Sequence, residues 1–159
     1  MRRVLILGRG GAGKSTLARQ LGDLTGLPVV ELDKHFWPPD LIAMSHDEWA
    51  AKQRALVDRP VWIMDGDLGP YDVLEVRLAA ADTVLLLDFS LWRCAWRALR
   101  RGRERADFWW WLITYRRRCM PALRRKIAAT SADLRVFRGP RAVDRFVGAL
   151  AGRPTCGSR

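Results

Sequence analysis

The chain has 159 residues and a net charge of +11, with 49% hydrophobic and 28% charged residues. That size and balance suit one soluble globular domain with its own core and exclude a disordered or fibrous chain. No apolar run approaches the ~20 residues of a membrane span, so no membrane partner is expected, and three cysteines without metal-like spacing (Cys94, Cys119, Cys156) read as reduced thiols of a cytoplasmic protein.

Residues 2–7 read as a first strand around the apolar run Val4-Leu5-Ile6-Leu7. A strand that begins so near Met1 and leads into a functional loop is not expected to be a signal peptide. Gly8-Arg9-Gly10-Gly11-Ala12-Gly13-Lys14-Ser15 follows and fits G-x-x-x-x-G-K-[ST], the phosphate-binding loop. A helical pattern begins at Lys14 and runs to about residue 25, so the motif has the strand–loop–helix setting it requires. Glycines let backbone N–H groups turn inward around a phosphate, and the helix start adds partial positive charge. Gly8, Gly10, Gly11, Ala12, Gly13, Lys14, Ser15 and Thr16 are the expected nucleotide-binding residues. Lys14 reaches the β- and γ-phosphates, and the Ser15 hydroxyl ligates Mg²⁺.

Gly26 ends the helix and residues 27–32 read as a second strand. Residues 33–43, with Pro38-Pro39, read as a loop. Ser45-His46-Asp47-Glu48 fits a capping box, so a helix is expected over 46–58 with His46 as its first residue. Residues 61–64 form a short buried-type strand ending at Asp65-Gly66, and residues 71–80 a helix. Residues 83–87 form another buried strand, ending at Asp88. Ser90 is expected to cap a helix through about 101. After a basic hinge, a long helix starts near 107 and bends or breaks at Pro121. A last strand over 134–138, a helix over 141–151 and a flexible tail, 152–159, complete the chain. Residues 1–151 thus read as one domain, with a lid insertion at about 100–126. Short strands alternating with helices imply an α/β fold: a parallel sheet with helices on both faces, in three layers.

In such folds ligands bind at the carboxyl ends of the strands, where the acidic residues gather. Asp65 or Asp88 can supply the carboxylate contact to Mg²⁺. Asp65 is favoured because Gly66 gives the backbone room beside a ligand. Alternation at the end of the second strand puts Glu31 and Asp33 on one side. Glu31 is then a metal-side carboxylate, and Asp33 accepts a proton from a substrate hydroxyl. His35, two residues on, reads either as a substrate contact or as polar surface.

The charge belongs to one segment. Residues 91–126 hold twelve basic side chains against Glu104 and Asp107, a net of +10, and the other residues together are near neutral. Arg97, Arg101 and Arg105 are the arginines expected to neutralise charge on a transferred phosphoryl group from a closing lid. Arginines interleaved with Trp92, Trp96 and Trp109-Trp110-Trp111 also fit a nucleic-acid surface. The tryptophans themselves read as packing or substrate-pocket walls.

Gly8–Ser15, the stretch Glu31-Leu32-Asp33-Lys34-His35-Phe36-Trp37, Trp62-Ile63-Met64-Asp65-Gly66 and the helix from Trp92 to Arg105 together resemble the adenylate-kinase-related P-loop proteins. Among these the chain is most similar to the FlaR-like group labelled for DNA topology modulation. The resemblance implies five parallel strands, Mg-ATP binding and an arginine-bearing lid. It also implies that Arg138-Gly139-Pro140 contacts adenine, and that Glu31 and Asp33 stand for the paired acids of shikimate and gluconate kinases. It departs at Asp65-Gly66-Asp67-Leu68, where adenylate kinases carry Asp-Gly-Phe-Pro-Arg, so AMP as acceptor is not implied. The expected function is transfer of the γ-phosphate of Mg-ATP to a small-molecule acceptor, by a monomer or homodimer. The alternative is a nucleotide-gated nucleic-acid binder.

Overall fold

Alternate residues of each apolar run point to opposite faces of the sheet, and both faces are covered. The computed structural model describes residues 1–36, 45–66, 72–102 and 106–152, of which Arg101, Ala106 and Asp107 are described by backbone alone. In chain order the elements are β1 (Arg3–Gly8), α1 (Lys14–Thr25), β2 (Val29–Glu31), α2 (Leu32–Phe36), α3 (His46–Val57), β3 (Trp62–Asp65) and α4 (Leu74–Ala80). Then come β4 (Thr83–Leu87), α5 (Leu91–Arg101), α6 (Ala106–Arg118), α7 (Met120–Ala128), β5 (Asp133–Phe137) and α8 (Pro140–Ala151).

The five strands are all parallel, in the order β2-β3-β1-β4-β5. Val4 and Ile6 pack on one side with Leu17, Ala18 and Leu21 of α1. Leu5 and Leu7 pack on the other with Trp49 of α3, Leu78 of α4 and Ile127 of α7. A parallel sheet buried on both faces explains why its strands are continuous Val/Ile/Leu runs. The chain leaves β1 for β2, returns to insert β3 beside β1, then crosses to β4 on the other flank. The reversal places a crevice at the carboxyl end of β1. There Ile6 is in register with Asp65, and Gly8 with Leu87.

Two expectations change in detail. The loop expected after Asp33 begins as a helix, α2. Leu32 and Phe36, one turn apart, are both buried, and Phe36 meets Trp49 edge-on at 5.1 Å. Burying each side chain contributes about 1.5–3 kcal/mol, enough to override local loop propensity. Strand β2 therefore stops at Glu31, and the alternation expected to put Asp33 beside Glu31 does not extend to it. The long helix near Pro121 is two helices, with Cys119 between them. Pro121 lies in the first turn of α7, where its missing N–H costs no hydrogen bond.

The capping box forms as expected: the Glu48 amide donates to Ser45 Oγ at 3.3 Å, and the Ser45 amide donates to Glu48 Oε2 at 3.0 Å. Ser90 precedes α5, but its side chain makes no cap bond. The helix expected over 71–80 starts at Leu74, and Tyr71 lies outside the described residues. Among the described residues no helix is long and apolar enough to cross a membrane.

Candidate nucleotide and phosphate site

The loop between β1 and α1 is held by few bonds of its own. The Ala12 amide donates to Arg9 O at 3.2 Å, and Leu17 N closes the first turn of α1 on Gly13 O at 3.0 Å. Gly13 stands at the N-cap with φ +96°, a left-handed conformation that an L side chain rarely adopts. No side chain caps α1 and no acid lies in its first turn. Its positive end and free amides are thus open to a ligand anion. Lys14 is half-buried and folds back, Nζ donating to Gly8 O at 3.0 Å. Ser15 is half-buried and Thr16 exposed.

Asp65 ends β3 next to this lysine. It is 4% exposed, and its Oδ1 is buried without a hydrogen-bond partner. Burial pushes its carboxyl above the usual aspartate range. The Lys14 charge and a hydrogen bond from Ser15 pull the other way, and Glu31 adds to the rise. An orphaned carboxylate oxygen beside a serine hydroxyl and a phosphate loop fits a hard cation. Mg²⁺ asks for only one or two protein carboxylates and takes its other oxygens from phosphate and water. Among the described residues no group of three or more acidic, histidine or cysteine ligands forms a self-sufficient metal cage.

Glu31 lies across from Asp65 in the β2–β3 ladder. It is engaged by two cations, Arg19 at 3.1 Å and Lys34 at 3.1 Å. Burial raises its pKa, but hydrogen bonds from Lys34 and Arg19 and their charges more than offset this, leaving it below the usual value. Asp88 is held by two arginines. Its side chain is 5% exposed and takes Arg124 at 3.2 Å and Arg116 at 3.9 Å, tying β4 to α6 and α7. Asp33 is exposed on α2, and the half-buried His35 gives its carbonyl to Lys52 at 2.9 Å. Burial and the charges of Lys52 and Arg59 lower the His35 pKa.

Of the arginines named from the sequence, Arg97 reaches the loop. Its guanidinium donates to Ala12 O at 3.4 Å and lies where a Cβ on Gly13 would fall 2.8 Å away. Arg101 ends α5, with its side chain outside the described residues, and Arg105 lies outside them altogether. Arg138 is exposed in the turn after β5.

The tryptophans divide. Trp111 and Trp109 pack against the two cores, but Trp92 is 84% exposed, and Trp96 on the same helix and Trp110 on α6 are exposed as well. Small residues explain the outward rings on α5. It turns buried Cys94 and Ala98 inward, and the Cys94 carbonyl comes so close that a Cβ on Gly11 would meet it at 2.4 Å. Arg100 lies over the outward Trp96 ring at 4.9 Å.

Two residues without a sequence signal emerge. Arg77 of α4 is fully buried and donates to Gln53 Oε1, to Gly66 O and to Asp72, pinning the turn that carries Asp65. Arg9, in an open position of the loop motif, is buried as well.

Asp65→Asn has an expected signature. The native state holds the Asp65 proton more tightly than the unfolded chain does. Ligand-free stability therefore falls as pH rises from the ordinary aspartate range through the raised value. The asparagine variant is expected to lack that decline and to melt above the parent at neutral pH, while losing magnesium-dependent activity. Thermal melts between about pH 4 and about pH 8 check it. A variant that melts below the parent throughout would show that burial does not penalise this carboxylate.

No protein-family model and no curated protein matches the sequence. Solved structures do match the fold. Shikimate kinase from Acinetobacter baumannii in complex with shikimate superposes with a TM-score of 0.67 at 15% identity, over 94% of this chain and 90% of that one. A sugar kinase from a Janibacter species gives 0.59 at 19% identity, over 96% and 99%. Deoxyadenosine kinase from M. mycoides with bound dCTP gives 0.57 at 12% identity, over 92% and 96%. With its five parallel strands and its helices on both faces, the chain has the α/β fold of P-loop small-molecule kinases.

Proposed function

We propose that this protein is a nucleotide-dependent phosphotransferase that moves the γ-phosphate of Mg-ATP to a small-molecule acceptor. One observation carries the reading: Lys14, Ser15 and the orphaned Asp65 oxygen meet at the uncapped start of α1. Lys14 and the amides of residues 8–16 hold the phosphate tail. Ser15 and Asp65, with Glu31 beside them, would hold Mg²⁺, which would supply charge that neutralises the phosphates. Arg97 steadies the loop from α5 and adds positive charge, and Arg101 and Arg105 are assigned to neutralise charge on the transferred phosphoryl group. Arg138 is assigned to the adenine. Asp33 accepts the proton as the acceptor oxygen bonds to the γ-phosphorus and the bond to the departing ADP breaks. The solved kinases that share the fold support this reading, and the acceptor is a further question.

A transfer screen with labelled ATP against nucleoside monophosphates, nucleosides, sugar acids and aminoglycoside-like hydroxyls tests it. Label is expected on one acceptor class. Failure of the folded protein to take up Mg-ATP or Mg-GTP in calorimetry would end the enzymatic reading.

A second reading keeps one observation: exposed Trp92, Trp96 and Trp110 stand among arginines, as stacking platforms for nucleic acid do. This is the nucleotide-gated binder that the FlaR-like resemblance suggests. It predicts duplex retention in gel shifts that weakens steeply with salt, and absence of retention at low salt excludes it.

A further inference from the structure

Among the described residues two arginines are buried, and they differ in one respect. Arg77 is completely buried and every nitrogen of its guanidinium has an acceptor: Nε on Gln53, the other two on Gly66 O and Asp72. Arg9 is 4% exposed, yet its Nε is buried with no hydrogen-bond partner. None of the ion pairs among the described residues includes it. The ring of Tyr115 faces it at 5.9 Å, near the outer limit at which a ring attracts a cation. A guanidinium taken out of water without a counter-charge is costly, and a ring at that distance does not make good the loss.

Its surroundings belong to the phosphate site. Arg9 lies between Gly8, whose carbonyl takes the Lys14 ammonium, and Gly10. The wall of α6 closes on Gly10 so tightly that a Cβ there would fall 2.6 Å from Phe108 and 3.0 Å from Trp111. Trp111 packs edge-on against Tyr115 at 5.1 Å, and its indole N–H is likewise buried without a partner. Two buried donors share the Tyr115 ring as a neighbour. The loop motif leaves this position open, so wrapping the backbone around a phosphate does not call for an arginine here.

We propose that Arg9 is an anion-binding residue of this site, taking a phosphate oxygen beyond the β-phosphate of the nucleotide. That oxygen belongs either to the terminal phosphoryl group or to a phosphate on the acceptor. The placement relative to the nucleotide rests on the phosphotransferase reading. The binding of an anion by Arg9 does not. The ligand replaces the missing counter-charge, and α6 shields the contact from water and so strengthens it.

The test compares the parent with Arg9→Met, which keeps the bulk and removes the charge, and with Arg9→Lys, which keeps a charge. Ligand-free Arg9→Met is expected to melt above the parent, because an uncompensated buried cation has gone. Inorganic phosphate is expected to raise the melting temperature of the parent and of Arg9→Lys, and not that of Arg9→Met. Calorimetry then separates the sources. Loss of about tenfold in Mg-ATP affinity with Mg-ADP unchanged assigns the terminal phosphoryl group. Unchanged ATP and ADP affinities, with loss of inorganic phosphate binding to the ADP complex, assign the acceptor side. The proposal is overturned if Arg9→Met responds to phosphate as the parent does, or if ATP and ADP affinities fall together. If the parent takes up no nucleotide, the phosphotransferase reading fails on its own, and the phosphate-dependent melts of parent and Arg9→Met still decide whether Arg9 binds an anion.

Discussion

Lys14→Ala is expected to lower nucleotide-dependent phosphate transfer about 10³-fold and leave the melting temperature close to that of the parent. Stabilising charge that develops during transfer commonly accounts for factors of this size. The stability effect is small because Lys14 is half-buried and among the described residues makes one side-chain bond, to Gly8 O. A bond of that kind contributes about 0.5–1.5 kcal/mol net, and the carbonyl it leaves is beside the open loop, where water can replace the ammonium. The substitution also removes the charge that holds the Asp65 pKa down. The fall of residual activity on the acid side should therefore set in at a higher pH than it does in the parent. Single-turnover transfer with the acceptor found in the screen, alongside thermal melts, checks both halves. Parent-like transfer by Lys14→Ala would move the active site away from the loop.

Arg77→Met is expected to have the largest effect on stability, a loss of about 3–5 kcal/mol. For a chain of this size that corresponds to roughly a 10 °C fall in melting temperature. The arginine side chain is fully buried and its partner Asp72 is 4% exposed, so methionine leaves a carboxylate in the interior with Gln53 as its remaining donor. It also frees the Gly66 carbonyl. Gly66 has φ +143°, and a Cβ there would fall 2.8 Å from Leu32, so its own backbone has little room in which to compensate. Transfer activity should fall with stability, because this turn aims Asp65 at Ser15. Replacing Asp72 by asparagine as well should recover part of the loss, since the uncompensated charge is then gone. A change below about 1 kcal/mol would show that the network does not hold the turn.

The two networks mark where reading the sequence stops. β1, β4 and α1 are legible because fully buried parallel strands need unbroken Val/Ile/Leu runs and because a glycine loop before a helix has one common use. Asp65 was legible only as one of two candidates, since Asp88 also stands where a buried strand ends. Asp33 is not. Its place depends on Leu32 and Phe36 finding the core beside Trp49, a contact that local alternation does not encode. Trp92 and Trp96 were expected in packing or in a pocket wall and face outward, because a helix that must approach a loop backbone closely turns its cysteine and alanine inward.

By itself, then, the amino-acid order determined the α/β layering, which follows from hydrophobic period, and the phosphate-loop motif, which follows from glycine at fixed spacing; the count of five strands came from the resemblance. Only the tertiary structure decided which carboxylate faces Ser15, which arginines are satisfied and which is left without a counter-charge. Those outcomes depend on contacts between residues far apart in the chain. The partners of a buried charge are set by which helices cross the edge of the sheet, and that geometry has no local signature.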